Sequence, residues 1–248
     1  MPTHLTIITG ASRGLGLAMA QQRLAEGHRV LAIARSRPAR RLQCGADLQS
    51  WQFDLAEPAP AAAQLESWLA ALDPATQASA TLINNAGVVT EPAPLGHADA
   101  TELSNALRVG LEAPLLLAAA FLRTTAAWTV PRKLLFISSG LGRRAMASSA
   151  AYCAAKAGMD HLARAIALEE ASRPHGVRVA SLAPGVIDTD MQNRLRHADP
   201  ALFPERERFV SLKTSGSLVS PAAAATMVLR YLDRADFGSH PVADVRDA

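Results

Sequence analysis

Short apolar runs alternate along the chain with longer stretches in which apolar residues recur every three or four positions. The short runs are apolar throughout, as is typical of parallel strands that helices cover on both faces. They predict strands at Leu5–Thr9, Arg29–Ala34, 48–55, 81–87, Lys133–Ser139 and 177–185, with a last edge strand at 240–245.

The longer stretches predict helices over 13–27, 61–73, 101–125, 150–172 and 220–235. Leu65 and Leu69 show the helical spacing, and Ser220 followed by Pro221 is typical of an N-cap and a first helical position. Residues 190–217 have no clear period and are rich in Arg, Asp and Pro. We therefore expect a mobile lid over roughly 190–217.

Strand–helix alternation without an internal break predicts the α/β class, with one doubly wound parallel sheet and helices on both of its faces. The chain has 248 residues, which fits a single domain over 1–248. Hydrophobic residues make up 49% of it, enough for a sizeable core.

Composition narrows the classes of partner. The formal net charge is only +3, so nucleic acid is not expected, and the basic run at 34–41 needs a local explanation. Cys44 and Cys153 belong to no CxxC or Cys/His cluster, so we expect neither a disulfide framework nor a metal site. The first residues lack a signal-peptide pattern, and "LEAPLLLAAAFL" is too short for a bilayer. A cytoplasmic protein without a membrane partner is expected.

A glycine-rich loop lies where the first strand meets the first helix. In "TGASRGLG", Gly10, Gly14 and Gly16 are spaced G-x-x-x-G-x-G. Glycine lets the backbone approach a ligand closely, and a helix N-terminus offers free N–H groups to a pyrophosphate. The loop predicts a dinucleotide site. The alternative is a tight strand–helix turn that binds nothing.

The end of the second strand bears on which dinucleotide is bound. An acid there selects NAD by accepting from the ribose 2′-hydroxyl, but this strand ends at Ala34 and Arg35. Arg35, with Arg13 in the glycine loop, could pair with a 2′-phosphate, so NADP(H) is the predicted cofactor. The alternative is that Arg35 and Arg37 form a solvated surface cluster.

One pair of side chains predicts the chemistry. Tyr152 and Lys156 are four residues apart on one helix face, and Ser139 ends the preceding strand. Ligands bind at the carboxyl ends of parallel strands, where these groups would meet. An ammonium near a phenol favours phenolate and lowers a pKa that is ordinarily about 10, and serine could hold a carbonyl oxygen. The alternative is an ordinary half-buried tyrosine and a solvated lysine.

With these motifs the chain resembles the short-chain dehydrogenase/reductase family over its full length. "TGASRGLG", "FDL", "NNAG", "ISS", "YCAAK" and "APGVIDTDM" carry the resemblance. It implies a Rossmann-type fold and an NADP-dependent oxidoreductase with Ser139, Tyr152 and Lys156 as catalytic residues.

The cofactor-binding residues come from the motifs and the resemblance together. They are Gly10, Ser12, Arg13, Gly14, Leu15, Gly16, Arg35, Asp54, Leu55, Asn85, Ala86, Gly87, Tyr152, Lys156, Pro184, Gly185, Ile187 and Thr189.

The C-terminal third is similar to the sepiapterin reductase and benzil reductase subgroup. That similarity implies a small-molecule carbonyl substrate, a 1,2-dicarbonyl or a pterin side-chain carbonyl, bound by Ser139, Tyr152 and Asp244. The alternative for Asp244 is an exposed charge on a C-terminal strand. Two other functions stay open: a hydroxysteroid- or acyl-type dehydrogenase, and a weakly active NADPH-binding regulator.

One position departs from the family pattern. Gly110, in "RVGLEAP", stands where the family usually has an asparagine that opens the helix locally and holds a water of the proton relay. We expect a proton relay that is impaired or that a second water restores.

The resemblance also implies a homodimer or homotetramer formed through the fourth and fifth helices.

Overall fold

The computed structural model describes residues 2–36 and 47–247. Most of the basic run at 34–41, including Arg37, lies outside these residues, as does Cys44. Seven strands are present in the described part. They are β1 Thr3–Thr9, β2 Arg29–Ala34, β3 Leu48–Gln52, β4 Gln77–Asn84, β5 Arg132–Ile137, β6 Arg178–Ala183 and β7 Val242–Asp244.

All seven strands form one parallel sheet in the order β3-β2-β1-β4-β5-β6-β7. The order reverses direction between β1 and β4, which is the switch point where doubly wound sheets bind ligands. The predicted fold class is thereby confirmed. Strand ends differ by a few residues from the sequence prediction, because β4 already stops at Asn84 and β5 at Ile137. The polar residues that follow are thus free to face a ligand.

Eight α-helices accompany the sheet within the described residues. They are α1 Gly14–Ala25, α2 Pro58–Ala70, α3 Ala100–Leu107, α4 Ala113–Thr124, α5 Ala150–Ala171, α6 Asp190–His197, α7 Arg206–Thr214 and α8 Pro221–Asp233. Buried residues of α2, α4 and α5 form one core cluster with the sheet, and those of α1 and α8 form the other. The apolar strands are covered on both faces, as their composition predicts.

The predicted helix over 101–125 has a break in the middle. A π-helical segment at Arg108–Glu112, which contains Gly110, separates α3 from α4. The whole run, Ala100–Thr124, has the length and apolar composition to cross a membrane. The expected shortness therefore does not hold for the whole run, and half of its most apolar window is buried inside the protein.

The lid segment is more regular than its sequence suggests. Two short helices, α6 and α7, occupy most of 190–217, where no period was expected. Phe203 and Phe209 lie with their ring centroids 5.5 Å apart and form a small core of their own with Leu195 and Met146. These two helices contain only a few apolar residues among many charged ones. Their sequence therefore shows no recognisable helical period.

Candidate active site

The carboxyl ends of the central strands open into one long cavity of about 760 Å³. Every residue predicted above for the cofactor, for catalysis or for the substrate lines this cavity. It runs from the glycine loop and Arg35 at one end to Asp244, Arg246 and Phe209 at the other. We call these the cofactor end and the substrate end.

Backbone contacts build the cofactor end. A Cβ atom at Gly16 would lie 2.4 Å from the carbonyl oxygen of Gly10, so only glycine fits there. Asn85 holds the loop from the neighbouring strand, since its Nδ2 donates to the carbonyl of Thr9 at 2.9 Å. The N-cap residue of α1, Arg13, has extended backbone, and its guanidinium, which has no acceptor for a helix N–H, donates to Asp190. The first N–H groups of α1 therefore have no side-chain cap, and the residues that begin this helix line the cavity.

Two arginines line the cofactor end. Arg35 follows β2, is exposed and lines the cavity. Arg13 forms an ion pair with Asp190 of α6 at 2.8 Å, with 70% and 76% of the two side chains exposed. Such an exposed ion pair contributes little to stability. The Arg13 side chain can therefore leave Asp190 and pair with another anion at little cost in free energy. Asp54 also lines this end, and its Oδ1 accepts from the N–H of Ala56 at 3.0 Å.

The three predicted catalytic side chains meet between the two ends. Tyr152 and Lys156 lie on the first turns of α5, and the ammonium of Lys156 is 5.6 Å from the centre of the Tyr152 ring. Lys156 Nζ donates to the carbonyl of Ile137, at the end of β5, at 2.7 Å. The side chains of Ser139 and Tyr152 lie close together on the wall of the cavity, and Ser139 Oγ accepts from the N–H of Leu141 at 3.2 Å.

Burial, more than charge, sets the ionisation of this group. It raises the pKa of Tyr152 to about 12, against a smaller lowering by the Ser139 side chain. Burial also lowers the pKa of Lys156 to about 8, and the nearby Asp160 carboxylate opposes that change. The expectation that the lysine alone brings the tyrosine toward neutrality is not met in this structure, because Lys156 donates to Ile137 and both groups are desolvated.

Gly110 lies in a locally opened helix, as the asparagine that the family usually has at this position would. The π-helical opening of Arg108–Glu112 is present although no asparagine stands there. A Cβ atom at Gly110 would lie 3.0 Å from the Cβ of Ala155, the residue before Lys156. Close packing of this segment against α5 thus accounts for the glycine.

Asp244 is not the exposed charge that the alternative reading held open. Its side chain is 7% exposed at the end of β7 and lines the substrate end. Arg246 donates to both of its carboxylate oxygens, at 2.8 and 2.6 Å, and Arg143 approaches to 3.6 Å. These contacts hold the pKa of Asp244 below its usual value, the Arg246 hydrogen bond most strongly.

Sequence reasoning missed several residues of the substrate end. Met191, Gln192 and Phe209 come from the two lid helices, Arg144 comes from the segment after β5, and Arg246 follows β7. Only Arg246 carried a sequence signal, as it lies two residues after the singled-out Asp244. Among residues 2–36 and 47–247, no group of three or more His, Cys, Asp or Glu side chains is placed to hold a metal ion.

Comparisons with known proteins agree with this geometry. The sequence profile of the short chain dehydrogenase family matches residues 4–200. Benzil reductase ((S)-benzoin forming) of Bacillus subtilis is 36% identical over 231 residues, 93% of this chain and 94% of that protein. Sepiapterin reductase of Meriones unguiculatus is 33% identical over 257 residues, 97% and 95% of the two chains.

A solved structure from Beutenbergia cavernae, described as an NAD(P)-dependent gluconate 5-dehydrogenase with bound NADP at low occupancy, is 26% identical. It superposes with a TM-score of 0.80 over 99% of this chain and 96% of that one. Profile, relatives and fold agree, and the chain belongs to the short-chain dehydrogenase/reductase family of oxidoreductases.

Proposed function

We propose that this protein is an NADP(H)-dependent carbonyl reductase that acts on a ketone, a 1,2-dicarbonyl or a pterin side-chain carbonyl. One observation carries the proposal: Ser139, Tyr152 and Lys156 line the same cavity as the glycine loop and the start of α1 at the cofactor end. The two relatives named above are reductases of a diketone and of a pterin.

The residues present fit NADP(H). The close approach at Gly16 and the start of α1 suit a pyrophosphate, and Arg35 and Arg13 suit a 2′-phosphate. Asn85 to Gly87, Pro184, Gly185, Ile187 and Thr189 complete the wall of that end. When bound, the nicotinamide supplies a hydride to the substrate carbon.

The chain's own residues supply the proton. In this mechanism Tyr152 donates its phenolic proton to the substrate oxygen as negative charge develops there, and becomes phenolate. The ammonium of Lys156 stabilises that phenolate, and the Ser139 hydroxyl donates a hydrogen bond to the same substrate oxygen. A buried phenol of high pKa holds its proton until the substrate oxygen becomes basic enough to take it.

Several wider features belong to the same proposal. The chain is one NADP-binding domain with a substrate lid at roughly 190–217. Within it, Asp244 together with Arg246 orients the substrate.

Leu115 of α4 and Leu168 of α5 are exposed, which supports a homodimer or homotetramer through these helices. We place the enzyme in the cytoplasm, with small-molecule partners and without nucleic acid or membrane.

Optical measurement of NADPH oxidation tests this function. The purified protein is assayed with benzil, 1-phenyl-1,2-propanedione, sepiapterin and a ketosteroid, with NADH in parallel. We expect turnover of a dicarbonyl with NADPH preferred, and a loss of at least about a thousandfold in kcat for Tyr152→Phe with NADPH binding retained. Tight NADPH binding without turnover on the whole panel would contradict the reductase and favour a regulator, and turnover of the ketosteroid alone would favour the dehydrogenase alternative.

A further inference from the structure

A second buried charged group lies beside the catalytic pair and has no role in the mechanism above. Asp160 is on α5, four residues after Lys156 and eight after Tyr152, so the three side chains share one face of the helix. Asp160 is 2% exposed. A buried carboxylate is costly unless its surroundings compensate for the lost water.

Two hydroxyls from neighbouring strand segments, the one after β5 and β6 itself, reach Asp160. Ser138 Oγ and Ser181 Oγ each donate to Asp160 Oδ1 at 2.6 Å. Ser138 directly precedes Ser139, and Ser181 belongs to β6. Asp160 therefore ties α5 to two neighbouring strands at the level of the catalytic residues.

The end of β5 is held by α5 at successive residues. Ile137 accepts from Lys156, Ser138 donates to Asp160, and the Ser139 side chain lies beside Tyr152. Three side chains of α5, each one turn apart, thus face the last residue of β5 and the two residues that follow it. A shift of Asp160 would move Ser138 and, through it, Ser139.

The second oxygen of Asp160 is unusual. Oδ2 is buried and has no hydrogen-bond partner among the described residues. It faces the turn after Ser139, where a Cβ atom at Gly142 would lie 2.6 Å from it and 3.0 Å from the carbonyl of Lys156. No described hydrogen-bond donor therefore compensates the charge on this side of the carboxylate.

We infer that Asp160 is a positioning residue of this enzyme: its buried carboxylate, one turn after Lys156 on the same face of α5, acts on that ammonium and fixes the Ser138–Ser139 segment against α5. This inference rests on the proposed function. Lys156 is buried among apolar groups that favour the neutral amine, and Asp160 is the charged group that acts against this. Of the other titratable groups nearby, Tyr152 is neutral over the relevant range, Asp244 is held by Arg246, and Arg144 lines the cavity from the segment after β5.

The test measures Lys156 directly. The chain has three lysines, Lys133, Lys156 and Lys213, so side-chain ¹⁵N NMR resolves each titration, with Lys156→Arg to assign the signal. In Asp160→Asn, Oδ1 still accepts from both serines but the charge is gone. We expect the Lys156 midpoint, at about 8 in the unaltered protein, to fall by about one pH unit. The alkaline limb of kcat/KM for NADPH-dependent reduction should move down by the same amount.

Two control variants separate charge from structure. Ser181→Ala removes one hydrogen bond and keeps the carboxylate. Glu170→Gln removes a buried carboxylate on the same helix, where Arg173 and the N–H of Val177 hold it away from the site. Neither should move the Lys156 midpoint, although both lower stability. An unchanged midpoint in Asp160→Asn, or an equal shift in Ser181→Ala, would overturn the inference.

The test remains decisive if activity or folding fails. The NMR titration needs no substrate, so a protein inactive on the whole panel would refute the proposed function without deciding the role of Asp160. If Asp160→Asn does not fold, the ¹³Cγ signal of Asp160 in the unaltered protein replaces it. A carboxylate signal throughout the Lys156 titration supports the inference, and a protonated one at neutral pH overturns it.

Discussion

The two ends of the cavity are built in different ways. At the cofactor end, the contacts involve backbone: Gly16 packs against the carbonyl of Gly10, and the Asn85 amide donates to the carbonyl of Thr9. At the substrate end, charged side chains meet: Arg246, two residues further along the chain, and Arg143, from the segment after β5, both approach Asp244. Backbone contacts between strands are rigid and tolerate little change, whereas ion pairs exchange partners at small cost. The cofactor end should therefore be the more sensitive to substitution.

The largest effect should follow Gly16→Ala. The new Cβ would lie 2.4 Å from the carbonyl oxygen of Gly10 and 2.5 Å from Asn85 Nδ2, so the loop must shift. We expect the Kd for NADPH to rise at least about a hundredfold, measured by fluorescence titration. Gly96→Ala is the matched control, since nothing lies within 4 Å of its Cβ position. Equal NADPH binding by both variants would mean that the loop is as adaptable as the substrate end.

A smaller change is expected from Arg35→Ser, which leaves the backbone of the cofactor end intact. Loss of one charge-assisted contact to the 2′-phosphate should lower the ratio of kcat/KM for NADPH over NADH about tenfold. The NADH value itself should stay the same. Arg230→Ser serves as control, because Arg230 is an exposed arginine of α8 away from the cavity. A ratio unchanged in Arg35→Ser would return Arg35 to a solvated surface role and leave the phosphate to Arg13.

The sequence predicts features that depend on local spacing better than it predicts contacts between distant parts of the chain. The strands, the glycine loop and the Tyr152–Lys156 pair depend on local spacing, and the structure places them as expected. The helices of the lid were missed because a few apolar residues such as Phe203, not a regular stripe, hold them together. Arg143, which approaches Asp244, and the two serines that donate to Asp160 come from other strands and turns, and only the sheet order brings them close.

The smallest effect belongs to the substrate end, in Asp244→Asn. The carboxylate is already neutralised by Arg246, which is 63% exposed and free to take other positions, so the end can adapt. We expect KM for the carbonyl substrate to rise about threefold to tenfold, while KM for NADPH and the stability of the glycine loop stay the same. Because the arginines hold the pKa of Asp244 below its usual value, the unaltered enzyme should show no change in substrate KM from Asp244 between about pH 5 and 8.

Asp236→Asn is the control for that variant, since Asp236 forms a similar carboxylate–arginine pair with Arg234 away from the cavity. Steady-state kinetics with both substrates varied separates the two KM values. If Asp244→Asn raised KM for NADPH as much as KM for the ketone, the two ends would be coupled through β6 and β7, and the contrast between a rigid and an adaptable end would not hold. A change confined to the ketone instead assigns substrate selectivity to the end whose contacts exchange most easily.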